Sequence, residues 1–342
     1  MLGTGDAGST ALPTDAVIQI AFDRLLHPTS VTRQSFSLVD ENGNYPEPVV
    51  TYDPVARIVS ISSPNDTIGP WLTAGATYKI VIGVSAANDF TGGSGPRAID
   101  GATLEAPVTL VFQAVTPVTP TTSADRPIDF CDDVIPIFQR SCSGGLCHAA
   151  TATPAEGLIL ETPDGVLNTA IGTGPAPRVS QESNTGGSAV SAAVQGNPFG
   201  VDMPIIGATY SPDDAGTTPG NPGGSYLMYK VLLGQLRPID DGLDAGYAAC
   251  GSASEPIPVG QLPSPQPAAT QMISDSERAI LSEFILGNQM PYPLNLSSTT
   301  PTPASFITPT SSTLPLTFEE LERIRAWIAQ GAHVEACSAC PE

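Results

Sequence analysis

Cys142-Ser143-Gly144-Gly145-Leu146-Cys147-His148 is the stretch on which the reading of this chain turns. Two thiols and an imidazole stand in one short run, which begins four positions beyond the end of the apolar segment Val134-Ile135-Pro136-Ile137-Phe138. A cysteine pair ending in Cys-His is what covalent attachment of a c-type haem needs: each thiol adds to one vinyl group, and the adjacent imidazole is held under the iron. The usual spacing puts two residues between the cysteines, whereas four intervene here. The flanking sequence therefore has to decide the matter.

Upstream of the motif, Asp129 to Gln139 reads as a short helix. Acidic residues come early, Pro136 interrupts, and Val134, Ile137 and Phe138 share a face. Downstream, Gly157-Leu158-Ile159-Leu160 is followed by a turn of helix near Val166-Leu167-Asn168. Residues 172–224 are rich in Gly, Pro, Ser, Thr and Asn and predict long loops. Ser225 is placed to cap a short helix from Tyr226 to Leu233, closed by Gly234. A second stretch poor in signals, 235–270, contains Cys250. Ser274 and Glu277 predict a capping box for a helix ending near Leu286-Gly287, and Met290-Pro291 opens another loop. In the last helix Thr317 and Glu320 form a capping box, Leu316 and Leu321 fit a hydrophobic staple, and Gly331 is the stop. Leu321, Ile324 and Ile328 line one face of it, with Trp327 beside them.

The first third of the chain has a different period. Residues 1–10 are small and polar and predict a flexible arm. From Pro13 onward Ile18, Ile20 and Phe22 fall on one face of a half-buried strand. Further strands are expected at Ser35–Val39, Val49–Tyr52, Ala56–Ile61, Thr77–Ile82 and Val108–Phe112, with turns such as Glu41-Asn42-Gly43-Asn44 and Asp53-Pro54 between them. Six or seven short strands spaced in this way predict an antiparallel sandwich. His27, after Leu25-Leu26 at a strand end, is expected to be a surface or loop histidine. Residues 115–127, Val-Thr-Pro-Val-Thr-Pro-Thr-Thr-Ser-Ala-Asp-Arg-Pro, are a Pro/Thr linker that prolines stiffen toward an extended form. They divide the chain into 1–114, the linker 115–127, and 128–342.

The composition sets outer bounds. A length of 342 residues suits two or three domains. A net charge of −21, from 34 acidic against 13 basic residues, argues against nucleic acid and anionic membranes as partners. It suits a soluble protein, or one meeting basic or metal-bearing partners. Abundant Gly (33) and Pro (35) favour strands and long ordered loops over helical bundles. No apolar run approaches the length of a membrane span. The opening Met-Leu-Gly-Thr-Gly-Asp-Ala-Gly-Ser-Thr lacks the basic and apolar regions of a secretory signal. The chain is then either mature, with its signal peptide removed, or cytosolic; the even number of cysteines, six, favours the former and an oxidising compartment.

Two resemblances follow from these residues. Ile18-Gln19-Ile20-Ala21-Phe22-Asp23, Leu72-Thr73-Ala74-Gly75-Ala76-Thr77-Tyr78 and Asn88-Asp89-Phe90-Thr91-Gly92 resemble the bacterial Ig-like domains that serve as modules in secreted and surface proteins, over residues 12–114. The segment 128–334 resembles a class I cytochrome c domain, in particular the loop-rich cytochrome c-like domains of secreted bacterial proteins. That resemblance is carried by Val134 to Gln139, Ser141-Cys142 through Cys147-His148, Gly157 to Leu160, Ser225 to Lys230, Met290-Pro291, and Ile324 to Ala332. The expected fold is thus multidomain: an all-β Ig-like sandwich followed by a mainly α, loop-rich cytochrome c-like domain.

The second resemblance implies one covalent haem c on Cys142 and Cys147, with His148 as the proximal iron ligand. Gly144-Gly145 would let the longer loop fold back so that both thiols face the vinyl groups. It implies Met290 as the distal ligand, since a soft thioether stabilises ferrous haem. Met203, in the same Met-Pro dipeptide, is the runner-up. His333 could give bis-histidine ligation but is expected to be exposed, while Met228 and Met272 are expected core residues. Because the first and last helices cross in that arrangement, Cys131–Cys337 or Cys131–Cys340 bridges are implied, with Cys250 taking the remaining partner. Other readings of the same residues are a local Cys142–Cys147 disulfide with His148 incidental, and a zinc site using Cys142, Cys147, His148 and the Cys337/Cys340 pair. Cys337-Ser338-Ala339-Cys340 could also be a redox dithiol, although no βαβ pattern surrounds it.

The functional expectation is an extracytoplasmic electron carrier, not a substrate-transforming enzyme. It would exchange electrons with redox partner proteins or extracellular acceptors, the Ig-like domain serving as anchor, spacer or assembly module. The alternative is a secreted structural, adhesion or filament-forming subunit in which the cysteines are disulfide staples. There the arm at residues 1–12 could donate a strand to a neighbouring copy in a homopolymer.

Overall fold

Apolar alternation in the first third of the chain becomes, among the described residues, seven strands: β1 (Thr10–Pro13), β2 (Ile18–Ala21), β3 (Phe36–Asp40), β4 (Val49–Asp53), β5 (Ile58–Ser62), β6 (Thr77–Ile82) and β7 (Val108–Val115). Helical segments follow. A wide π-type turn at Phe130–Val134 leads into α1 (Ile135–Ser141), and α2 (Pro163–Gly165) runs on into a second π-type segment, Val166–Ile171. The remaining α-helices are α3 (Tyr226–Leu232), α4 (Asp275–Phe284) and α5 (Phe318–Ala329), and short 3-10 turns lie at Pro28–Ser30 and Pro222–Gly224. The structure is a computed structural model. It describes residues 10–64, 69–86, 89, 93–116, 127–143, 148–150, 154, 157–172, 178, 203–208, 219–234, 236, 273–285, 290–291 and 315–337. These residues form two compact units. The first holds the described residues up to 116 together with Ile273–Phe284, and the second holds the rest.

In the first unit one sheet has the order β1-β7-β6-β3 and the other β2-β5-β4. Ile18 and Ile20 of β2 are buried while Gln19 and Ala21 are exposed, as a strand with one wet face requires. Val59 and Ile61 of β5, Phe36 and Leu38 of β3, and Tyr78, Ile80 and Ile82 of β6 are buried by the same alternation. Phe22 meets Phe36 of the other sheet edge-on at 6.0 Å. Tyr78 stacks on Phe112 at 5.6 Å, and its hydroxyl accepts the Thr73 N–H at 3.0 Å. Burying a side chain such as Phe36 contributes about 2 kcal/mol.

Two strand-region expectations change. The polar arm does not run to residue 10, because Thr10–Pro13 forms β1. That strand pairs in parallel with β7, Thr10 opposite Phe112 and Pro13 opposite Val115, so the sheet is mixed and not purely antiparallel. Alternation is silent there because β1 is only four residues long and lies at a sheet edge. His27 is not a surface residue but fully buried. Its Nδ1 lies 2.7 Å from the Thr29 hydroxyl and its ring meets Phe284 edge-on at 5.4 Å. Burial, with the Arg97 charge as a second cause, pulls its pKa down to about 4.

Phe284 belongs to α4, which the division at the linker leaves within 128–342 but which packs in the first unit. The expected capping box is present: the Ser274 N–H donates to Glu277 Oε2 at 2.9 Å, and the Glu277 N–H donates to Ser274 Oγ at 3.2 Å. The Glu277 carboxylate also accepts the Leu25 N–H at 3.1 Å and pairs with Arg57 at 3.0 Å. Burial would raise its pKa, but these N–H donors and Arg57 outweigh it and hold the carboxyl below its usual value. Leu281 supplies the fully buried position of the helix. Nothing local reveals this docking, because a helix's amphipathic face does not name the surface that covers it.

In the second unit α1 and α5 share an aromatic core. Trp327 stacks on Phe130 at 5.3 Å and meets Phe138 edge-on at 6.0 Å, while its indole N–H donates to His333 O at 2.8 Å. Leu321, Ile324 and Ile328 are buried with it. The Thr317/Glu320 capping box forms, and Glu320 also pairs with buried Arg140 of α1. Beyond α5, Gly331 (φ 99°) supplies the expected stop. Gly220 approaches α5 so closely that a Cβ there would overlap Ile328 O, which only glycine avoids. Every residue of α3 is buried. Its first N–H groups are satisfied by the Pro204 and Ile205 carbonyls, not by the Ser225 side chain. The Ser225 hydroxyl instead donates to Asn221 O and accepts the Gly207 N–H.

Candidate functional site

Cys142 stands at the C-terminal cap of α1, where its N–H donates to Phe138 O at 2.8 Å. The helix thereby delivers the first thiol of the motif into a buried position. His148 is also buried, and its N–H donates to Cys142 O at 3.1 Å, so the first and last motif residues are joined through the backbone. Cys147 lies outside the described residues.

The imidazole of His148 is engaged through Nδ1. Its Nδ1 lies 3.1 Å from Leu158 O. A carbonyl only accepts, so Nδ1 carries the proton, and in the neutral ring Nε2 keeps its lone pair. The Leu160 N–H donates back to His148 O at 2.9 Å, and the Ala150 N–H donates to the Glu161 carboxylate at 2.7 Å. Segment 158–161 therefore fixes both the backbone and the ring of His148. This is the arrangement that an imidazole ligand to a metal adopts, its second nitrogen tied to a backbone carbonyl. In the sequence Gly157-Leu158-Ile159-Leu160 is legible only as an apolar run. Its backbone role cannot be read from side-chain types.

The two methionines are placed by opposite ends of α3. Met203 is buried, and the next residues, Pro204 and Ile205, cap the N-terminus of that helix. Met290 is half-buried, and its N–H donates to Lys230 O at 3.1 Å near the C-terminal end. Met228 is fully buried on α3 and His333 is exposed, both as expected. Met272 lies outside the described residues.

Cys131 and Cys337 form a disulfide, one of the two pairings implied for Cys131. This removes Cys337 from the zinc reading, since a zinc ligand must be a thiolate, and from the redox-dithiol reading. Asp129 and Glu335 place carboxylates near the Cys131 sulfur, but that sulfur is already bonded. Cys250 and Cys340 lie outside the described residues.

Cys142 and His148 are buried in the same unit; the chemistry of a thiol suits attachment to a haem vinyl group, and that of an imidazole with its Nδ1 proton engaged suits ligation to iron. Among the described residues, no helix is long and apolar enough to cross a membrane.

No protein-family model matches the sequence, and no curated protein matches it. Among solved structures, part of the chain is similar to bacterial S-layer proteins. Surface layer protein SbsC, domains 1-6, is 16% identical over 32% of this chain and 13% of its own length, with a TM-score of 0.24. The N-terminal part of the bacterial S-layer protein SbsC is 16% identical over 32% of this chain and 23% of its own, also at 0.24. S-layer protein rSbsC(31-844) is 17% identical over 38% of this chain and 16% of its own, at 0.25. This chain thus spans less than a quarter of the length of each, and at these TM-scores the likeness carries no argument.

Proposed function

We propose that this chain is an extracytoplasmic electron carrier with one covalently bound haem c. Cys142 and Cys147 would hold the haem through thioethers, and His148 Nε2 would be the proximal ligand to iron. The observation that carries this reading is the buried His148 ring, whose Nδ1 is tied to Leu158 O at 3.1 Å directly after the cysteine motif. Haem c supplies a one-electron couple between ferric and ferrous iron. The protein's part is to keep water from the site and to set the potential through ligand, burial and hydrogen bonding. Chain order favours Met290 as the distal ligand, and the burial of Met203 keeps it as the runner-up. The packing of α1 on α5 through Trp327 and the Cys131–Cys337 bridge support a cytochrome c-like second unit.

The first unit is read as Ig-like, serving as anchor, spacer or assembly module. Strands β7-β6-β3 and β2-β5-β4 follow the G-F-C and B-E-D order of immunoglobulin sheets, with β1 moved beside β7. The Tyr78 hydroxyl reaching back to Thr73 N–H at the start of β6 matches the tyrosine corner of that fold. Redox proteins or extracellular acceptors would be the partners.

A spectrum of the purified protein before and after dithionite tests the reading. A reduced c-type α-band is expected. Its absence, with Cys142 and Cys147 found in a disulfide, would overturn it. Met290→Ala should abolish the methionine-to-iron charge-transfer band; if that band is lost instead in Met203→Ala, the distal assignment moves to Met203.

The Cys131–Cys337 staple also favours the alternative, a secreted structural or filament-forming subunit. Residues 10–12 of the arm proposed as a donor strand are engaged in their own sheet as part of β1. Donation to a neighbouring copy in a homopolymer would therefore fall to the residues before them.

A further inference from the structure

The peptide group that orients His148 is itself held from its other side. Leu158 C=O and Ile159 N–H belong to one planar amide. The carbonyl faces His148 Nδ1, and the N–H donates to Thr169 Oγ1 at 2.8 Å. The Thr169 hydroxyl in turn donates to Gly165 O at 2.7 Å, with Ile159 O at 3.2 Å. Donors and acceptors thus run in one direction, from the imidazole through the amide and the hydroxyl to the Gly165 carbonyl. Such chains polarise along their length, each bond strengthening the next.

The frame leaves this amide little room to turn. A Cβ on Gly165 would overlap Ile159 Cγ2, so the segment is packed directly against the α2 backbone. Thr162 caps the same turn by accepting the Gly165 N–H at 3.1 Å. Thr169 needs no contact with any ligand to act, because the amide transmits its effect.

We propose that Thr169 is a positioning residue for His148, fixing and polarising the Leu158–Ile159 amide so that Nδ1 keeps its proton and Nε2 is presented as a strong donor. This rests on the haem reading for its redox consequence, but not for the tautomer. A stronger Nδ1–H···O bond makes the imidazole more basic, and a more basic ligand favours ferric over ferrous iron. The hydroxyl therefore lowers the reduction potential.

The test compares Thr169→Val, which keeps the shape and removes the hydroxyl, with Thr169→Ser, which keeps the hydroxyl. In the haem-loaded protein the midpoint potential should rise in Thr169→Val and return toward the wild-type value in Thr169→Ser. In the haem-free full chain, imidazole nitrogen NMR should show His148 in the Nδ1–H tautomer in the wild type and Thr169→Ser, with that tautomer depleted in Thr169→Val. If Thr169→Val does not fold, Thr169→Ala carries the same expectations. An unchanged potential together with an unchanged tautomer would overturn the proposal. Failure of the wild type to take up haem would instead remove the electron-carrier reading, leaving the tautomer comparison to decide the role of Thr169.

Discussion

In the β-sheet unit much of the core is made by residues two apart, with β2, β5 and β6 each burying one face. In the helical unit the described helices are short, and α1 spans only Ile135–Ser141. Isolated helices of that length are marginal in water, so tertiary devices have to hold them. These are the aromatic group around Trp327, the buried Arg140–Glu320 pair, the glycine contact at Ile328 and the Cys131–Cys337 bridge. The first unit spreads its stability over many similar contacts, whereas the second concentrates it in a few distinct ones. The site proposed above, with two cysteines, a histidine and a methionine to place, would suit the second plan, because each device fixes one segment without dictating the next.

The largest test of this contrast is the disulfide. Its partners are 206 residues apart in sequence, and closing so long a loop is worth roughly 5 kcal/mol in the chain-entropy account. Removing both thiols, Cys131→Ser with Cys337→Ser, should cost the helical unit about 2–5 kcal/mol. Urea unfolding should show its transition moving while that of the β-sheet unit stays in place. Equal movement of both transitions would break the contrast.

A smaller effect is expected from His27 and has the opposite address. The folded unit prefers the neutral ring, with a pKa of about 4 against an ordinary value near 6.5. Between these values the unfolded chain binds more protons, so stability is full above about pH 6.5 and is lost as pH falls toward 4. The loss amounts to about 3 kcal/mol. Glu277, whose folded carboxyl is held below its usual value, acts in the same direction at lower pH: its stabilisation is present above the ordinary carboxylate range and is lost as pH falls through the folded value. Denaturation of the first unit as a function of pH should show the slope from 6.5 to 4, and His27→Gln should flatten it. A wild-type profile that is already flat would remove the burial argument.

The smallest effect sharpens the idea of distributed contacts. Tyr78→Phe removes one buried hydroxyl acceptor for the Thr73 N–H and should cost about 1–2 kcal/mol. A loss well beyond that, measured by thermal unfolding, would mean that one corner carries the sheet unit after all.

Much of the first unit is legible in the sequence because burial on one face of a strand writes itself as alternation. Ile18 and Ile20, Val59 and Ile61, and Ile80 and Ile82 all stand out in that way from residue types alone. β1 does not, since four residues at an edge carry too little pattern and its partner β7 lies about a hundred residues away. In the helical unit the capping box at Thr317 and Glu320 and the stop at Gly331 are legible, because both act within one turn. Ser225 misleads for a related reason: its type suits an N-cap, but the Pro204 and Ile205 carbonyls occupy that role and leave its hydroxyl to brace Asn221 and Gly207.

The sequence by itself determined the strand periods other than that of β1, the capping box and stop of the last helix, and the Cys142 to His148 motif, since each is written in neighbouring residues. Only the tertiary structure decided that α4 packs with the strands, that His27 is buried, that Cys131 meets Cys337, and that the Leu158 carbonyl holds His148. The physical reason is common to all four. Each depends on a partner far along the chain or on a backbone group, and neither leaves a mark in the local pattern of side chains.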